Sequence, residues 1–411
     1  MIKKSEIGGV LRAPPSKSVT HRALVCASLA YGKSRITSPL LCDDTEATID
    51  ALQLLGISIV KKENEIFVEG NVLKKPEREI FCRNSGTTLR FITALASLVG
   101  EECKITGSNS LMQRPIEPLL EALRKLGVEC KKNGDTIFVK GKPLGGEVDI
   151  EGNVSSQFIS ALLLISPMIG EKVMIKCKNL ESKPYVYLTL DVQKKFGVEI
   201  LWSNVFEIFP QNYRPTKFEV EGDWSTVSNI LVAGALCGKL SVEGLNLDSL
   251  QADKKIVEAL KIMGAKIYVG KYKVTVEKSS LAPIEFDISD CPDLFPPLCI
   301  LSSQANGTSI IYGTRRLKFK ESDRLYVMKK NLEKMGVRCE VGENFFKIFG
   351  SKAFGTKVNP CNDHRIAMAL ATLALVAEGE TTILNGECVN KSFPEFWNIM
   401  GRLGANIRVI S

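Results

Sequence analysis

The chain has 411 residues, enough for two domains or three small ones with real cores, which excludes a disulfide-stapled miniprotein. Hydrophobic residues at 45% and charged residues at 24% match an ordinary soluble globular fold and exclude a disordered or low-complexity chain. The net charge of +8 contains no block of like charge and aromatics are only 7%, so the balance suits an acidic small molecule better than nucleic acid.

From the N-terminus, MIKKSEIGGVLRAPPS has no apolar leader, and no apolar stretch reaches the ~18 residues of a membrane span. The twelve cysteines lie singly, no two within seven residues, and there are two histidines. Free thiols in a reducing cytoplasm are therefore expected, with no metal site.

A polar cap followed by a largely apolar helix recurs along the chain, starting near Ser16, Ser85, Ser156, Ser225, Asp293 and Asp363. Each such helix is followed by an exit glycine, at 32, 100, 170, 238, 307 and 379. Some 25 residues beyond each exit comes a second mark, a large apolar residue, a glycine and a small or branched apolar residue. Its copies are Leu55-Gly56-Ile57, Leu126-Gly127-Val128, Phe196-Gly197-Val198, Met263-Gly264-Ala265, Met335-Gly336-Val337 and Leu403-Gly404-Ala405. Two marks sharing a period near 70 predict six repeats.

Each repeat reads as strand, buried helix, strand, amphipathic helix, hairpin, a βαβαββ unit in an α/β fold. In the second, the buried helix is expected over 84–99, a strand over 103–106, a helix over 115–126 and a hairpin over 128–140 turning at Asn133-Gly134-Asp135. Three repeats per domain suit the length, and the stretch from Tyr213 to Thr216 is the best boundary by composition.

Helix N-termini bind anions through unpaired N–H groups and a positive dipole end. Five of the six starts carry more than caps: PPSKSVTHRA with Lys17, Ser18 and Arg22; RNSGTTLR with Gly86 and Arg90; SSQF with Ser155, Ser156 and Gln157; DCPD ending in Asp293; and NDHR with His364 and Arg365. Capping accounts for Ser, Thr and Asp but not for the lysine and arginines. Between the starts lie LMQRPI with Arg114, SKPYVYL with Ser182 and Tyr185, KESDR from Lys320 to Arg324 and NKSFPE with Lys391. Arginine beside proline or a carboxylate suits bidentate clamps on phosphate or carboxylate. ASLAYGKS resembles a phosphate-binding loop but closes an apolar helix instead of opening one.

These runs, in this order from residue 14 to 395, resemble those of the 5-enolpyruvylshikimate-3-phosphate synthase family of enolpyruvyl transferases. The resemblance implies a two-domain inside-out α/β barrel, with domains at 12–219 and at 1–11 joined with 220–411. It implies enolpyruvyl transfer from phosphoenolpyruvate to the 5-hydroxyl of shikimate 3-phosphate, without cofactor, by a cytoplasmic monomer that glyphosate inhibits. Shikimate 3-phosphate would be held by Lys17, Ser18, Arg22, Ser155, Ser156, Gln157, Ser182, Tyr185, Asp293 and Lys320. Phosphoenolpyruvate would be held by Lys17, Gly86, Arg114, Gln157, Arg324, Arg365 and Lys391. Asp293 matches the base and Glu321 the group handling the methylene proton, with Lys17 serving phosphate or proton transfer. Domain closure on binding shikimate 3-phosphate is expected, because neither half holds every clamp.

Two runs depart from the family pattern, His21 in place of the usual asparagine and Arg316 to Phe319 in place of an asparagine-containing run. The rivals are UDP-N-acetylglucosamine enolpyruvyl transferase, disfavoured because GSNSLMQRP carries no cysteine, an RNA 3′-phosphate cyclase-like enzyme, and a non-catalytic anion-binding scaffold.

Overall fold

The computed structural model describes residues 1–410 and divides into two compact units, one of Pro15–Glu221 and one of Met1–Pro14 with Gly222 onward. Among the described residues each unit contains three four-stranded sheets. Every sheet has the same plan, a parallel strand pair extended by two antiparallel strands, as strand–helix–strand followed by a hairpin produces. In the second repeat, Ile80–Phe81 pairs in parallel with Gly100–Thr106, which pairs antiparallel with Thr136–Gly141 and that with Glu129–Asn133.

Three strands are lent across the sequence. Lys217–Glu219 supplies the parallel partner of Gly32–Thr37 in the first repeat. Ile7–Arg12 does the same for Gly238–Glu243 in the fourth. In the sixth, Ile2–Lys3 lies between Asn406–Ile407 and Glu380–Ile383, antiparallel to both. The two crossings between units, at Pro14 and at Glu221, follow directly from this lending.

The helix that follows each parallel strand is buried almost all round: every residue of Trp224–Cys237 is buried, as are eleven of Lys17–Leu29 from Val19 onward. Such a helix belongs inside, with the sheets wrapped outside it, and each fully buried Leu or Ile contributes about 1.5–3 kcal/mol. The second helix of each repeat is amphipathic, as in Glu117–Lys125, which buries Leu119, Leu120, Ala122 and Leu123 and shows its charges to solvent.

All six glycines of the second mark have positive φ, from 80° to 106°. The residue after each donates its N–H back to the helix, as in Ile57 to Leu52 O, while the glycine N–H goes to the preceding turn, as in Gly56 to Gln53 O. This is the Schellman closure, in which only glycine avoids a left-handed penalty of about 1–2 kcal/mol and the next residue packs apolar. The recurring triplet is therefore a helix stop.

The ASLAYGKS segment ends helix Lys17–Leu29 and begins strand Gly32–Thr37, which rules out a phosphate-binding loop there. Among the described residues no helix is long and apolar enough to cross a membrane.

Candidate active site

In the unit of Pro15–Glu221, helix Lys17–Leu29 is capped by Ser16, whose hydroxyl accepts from the Val19 N–H. Lys17, at its first turn, reaches Asp44 Oδ2 at 2.7 Å, and both side chains are nearly buried. One turn on, Arg22 is buried and donates to Thr189 Oγ1 at 2.8 Å, the Ser18 carbonyl at 2.8 Å and the Tyr185 carbonyl at 3.0 Å. Arg22 thus braces Ser18 against Tyr185. Ser182, just ahead of helix Lys183–Lys195, is buried at φ 53°, an uncommon conformation for a residue with a side chain.

A second cluster forms at helix Gly86–Ser97, capped by Ser85. Arg90 donates to Gln157 Oε1 at 2.7 Å, and Gln157 Nε2 donates to Thr87 Oγ1 at 2.9 Å. A methyl group on Gly86 would lie 2.6 Å from Arg90 Nη1 and 3.2 Å from Arg114 Nη1, so two guanidinium groups crowd this helix start. Arg114 is delivered by a short helix, Asn109–Met112, absent from the pattern read in the sequence. Ser155 caps helix Ser156–Ile165 by accepting from the Gln157 N–H at 3.3 Å. His21 is buried, with Nδ1 2.8 Å from Thr48 Oγ1.

In the other unit, Asp223 and Asp363 cap their own helices, accepting from the Ser225 N–H at 2.9 Å and from the Arg365 N–H at 3.0 Å, and Asp363 keeps its Oδ2 for Arg324. Asp293 differs. Expected as the fifth cap, it lies inside a short 3-10 turn, Pro292–Leu294, that leads into helix Phe295–Ser303. Relieved of capping, its Oδ1 meets Arg324 Nη1 and its Oδ2 meets Arg365 Nη2, both at 2.8 Å, with Lys320 Nζ at 4.0 Å.

Arg324, 1% exposed, is the hub: Nε binds Asp363 Oδ2 and Nη2 binds Glu321 Oε2, each at 2.8 Å, besides the bond to Asp293. Lys391 is buried at the end of the 3-10 turn Gly386–Lys391, which packs on helix His364–Ala374. Arg316 is also buried and donates to the Ser289 carbonyl, so this departing run is held by its own backbone contacts.

Two participants, Asp44 and Asp363, were not among the predicted site residues, and Arg90, marked as a cation at a helix start, was assigned to neither substrate. The signal for the acids was available in principle, because a buried Lys17 and a buried Arg324 each require a buried carboxylate.

The family model for EPSP synthase (3-phosphoshikimate 1-carboxyvinyltransferase) matches residues 2–400. The chain belongs to the EPSP synthase family. A 3-phosphoshikimate 1-carboxyvinyltransferase of Thermococcus kodakarensis is 42% identical over 97% of this chain and 98% of its own. One of Methanocaldococcus jannaschii is 42% identical over 100% of this chain and 99% of its own. The solved EPSP synthase of Acinetobacter baumannii superposes with a TM-score of 0.83 at 25% identity, covering 100% of this chain and 99% of that one. The enolpyruvyl transferase NikO of Streptomyces tendae, 19% identical with a TM-score of 0.80, shares the fold. The reaction of the EPSP synthase family, enolpyruvyl transfer from phosphoenolpyruvate to shikimate 3-phosphate, is this chain's.

The electrostatics of an EPSP synthase site follow from these contacts. Burial works to raise the pKa of Asp293, but Arg365, Lys320 and Arg324 more than reverse it and hold the carboxyl well below the usual range. Burial pushes Lys320 down to about 8, partly opposed by Asp293 and reinforced by Arg324 and Arg316. Burial also pushes Arg22 down to about 10. Asp253, fully buried and bonded to the Ser225 hydroxyl, is pushed up to about 6 by burial and by the charge of Asp293.

Proposed function

We propose that in the family reaction Asp293 takes the proton of the 5-hydroxyl as its oxygen attacks C2 of phosphoenolpyruvate, while Glu321 gives a proton to C3. The C2–C3 double bond is consumed, and C2–O and C3–H bonds form. Glu321 then recovers a proton from C3, the C2–O bond to phosphate breaks, and the leaving phosphate carries off the proton held by Asp293. The observation that carries this is the release of Asp293 from capping, which leaves a carboxylate among cations at a helix start. Lys17, already paired with Asp44, serves as a fixed charge for phosphate.

Shikimate 3-phosphate is assigned to Lys17, Ser18, Arg22, Ser155, Ser156, Gln157, Ser182, Tyr185 and Lys320, with Arg22 acting through Ser18 and Tyr185. Phosphoenolpyruvate is assigned to Lys17, Gly86, Arg114, Gln157, Arg324, Arg365 and Lys391. The twelve unpaired thiols support a cytoplasmic setting. Phosphate release from the two substrates, measured beside UDP-N-acetylglucosamine as acceptor, tests the acceptor choice; turnover only with the sugar nucleotide would refute it.

Two expected outcomes test the binding roles. Lys320 loses its charge above about pH 8, so kcat/KM for shikimate 3-phosphate falls on the alkaline side of that value. Lys320→Arg keeps the charge and removes that limb; a pH profile unchanged by the substitution contradicts the role. Gly86→Ala pushes the Arg90 guanidinium off Gln157 and crowds Arg114, raising KM for phosphoenolpyruvate about tenfold, a cost of about 1.4 kcal/mol. Glyphosate inhibition weakens with it, and equal inhibition of both forms speaks against the assignment.

A further inference from the structure

Asp293 as found is a poor base. Its Oδ1 accepts a hydrogen bond from Arg324, its Oδ2 is ion-paired with Arg365 at 2.8 Å, and its proton affinity is suppressed by three cations. Glu321 is held as well, its Oε2 2.8 Å from Arg324 Nη2, so a proton reaches that oxygen only once the guanidinium moves off it. One side chain, Arg324, therefore holds both reacting carboxylates in the wrong state. The ion pairs are also the contacts that an incoming anion must replace, because Arg324 and Arg365 are two of the cations assigned to phosphoenolpyruvate.

We propose that phosphoenolpyruvate creates its own catalysts by ion-pair exchange: its anionic groups draw the Nη1 and Nη2 edge of Arg324 and the Nη2 of Arg365 away from Asp293 and Glu321. This rests on the assignment of those arginines and carboxylates made above. Three contacts fit the exchange. Arg324 is anchored by a different edge, Nε to Asp363 at 2.8 Å, and Asp363 is fully buried, so the guanidinium keeps its seat while its outer nitrogens change partners. Arg365 Nη1 is buried and makes no hydrogen bond, so this arginine carries donor capacity beyond its bond to Asp293. Lys320, at 4.0 Å from Asp293 Oδ1, is the most distant of the three cations and stays beside the carboxylate when the two guanidinium groups leave it.

The charge arithmetic gives the direction. A carboxylate stripped of a hydrogen-bonded guanidinium gains proton affinity, which makes Asp293 a better base and Glu321 an acid that is easier to load. The same event thus shifts both groups the way the reaction needs. Without phosphoenolpyruvate, both stay clamped, and the acceptor's 5-hydroxyl is not deprotonated in an empty site.

The test is a carbon-13 NMR titration of protein labelled at Asp and Glu carboxyl carbons, with Asp293→Asn and Glu321→Gln used to assign the two signals. The ligand-free protein is compared with a dead-end complex of phosphoenolpyruvate and shikimate 3-phosphate lacking its 5-hydroxyl. Asp293 and Glu321 should each gain at least about 100-fold in proton affinity in the complex, and Arg365→Met should raise the affinity of Asp293 without ligand. Equal proton affinities with and without ligand overturn the exchange, even if Asp293→Asn is inactive. Near-normal turnover by Asp293→Asn would instead remove the catalytic assignment on which the exchange depends.

Discussion

Asp293→Asn lowers kcat about 10³-fold, the range expected when a general base is removed, and does so without raising KM for phosphoenolpyruvate. The split follows from the geometry. The substituted amide keeps the shape of the carboxylate but turns a nitrogen toward one of the two arginines that now sit 2.8 Å from the Asp293 oxygens. Arg324 and Arg365 lose a charged partner and become more available to an anion, so substrate binding holds or tightens while the proton acceptor is gone. A residue whose only task was to orient the arginines would give the reverse, a raised KM with kcat largely preserved. Steady-state kinetics in both substrates read this directly, and a kcat within tenfold of the parent would withdraw Asp293 as the base.

Acid does not undo the Asp293 clamp in the intact protein. A carboxylate whose folded pKa is depressed contributes stability above its unfolded value near 3.9, and loses that contribution only as pH falls through the lower folded value. Since that value lies well below the usual range, the ion pairs persist through mildly acidic conditions.

How much of this was legible before the fold was known depends on the range of the interaction that decides each feature. The six large–Gly–small triplets are local, because a Schellman stop is written in three adjacent residues, and all six close a helix with positive φ. Lys17, Gly86 and Arg365 were readable as anion-binding candidates because a helix start is also local. The lending of Ile2–Lys3, Ile7–Arg12 and Lys217–Glu219 was not readable from periodicity, since strand pairing at separations near 200 or 400 residues leaves no mark in either strand. The capping assumption misplaced Asp293, where Pro292 begins a 3-10 turn and moves the α-helix start on to Phe295. Nor does helical spacing reveal that Arg22 points its donors at Thr189 and the carbonyls of Ser18 and Tyr185. A spacing fixes a face, and the side chain still has several partners to choose from on it.

Arg324→Met abolishes turnover and also destabilises the fold, by about 3–5 kcal/mol near neutral pH. The guanidinium is 1% exposed and hydrogen-bonds Asp293, Glu321 and Asp363, whose side chains are 20%, 14% and 0% exposed. Removing it strands three carboxylates near one another with no shared cation. Arg365 still meets Asp293, and the Arg365 N–H still meets Asp363, so Glu321 and Asp363 lose most. The sign of the pH dependence then inverts. In the parent, the folded pKa of Asp293 is depressed, and its ion pairs favour the folded state at neutral pH. In the variant, buried carboxylates left without their guanidinium partner are relieved by protonation, so the folded state takes up protons first and the deficit shrinks as pH falls from neutral toward about 4. Urea unfolding at neutral and mildly acidic pH measures this. A deficit that does not change with pH would mean that the loss is one of packing around a long side chain, and that the three carboxylates do not depend on Arg324 for their charge.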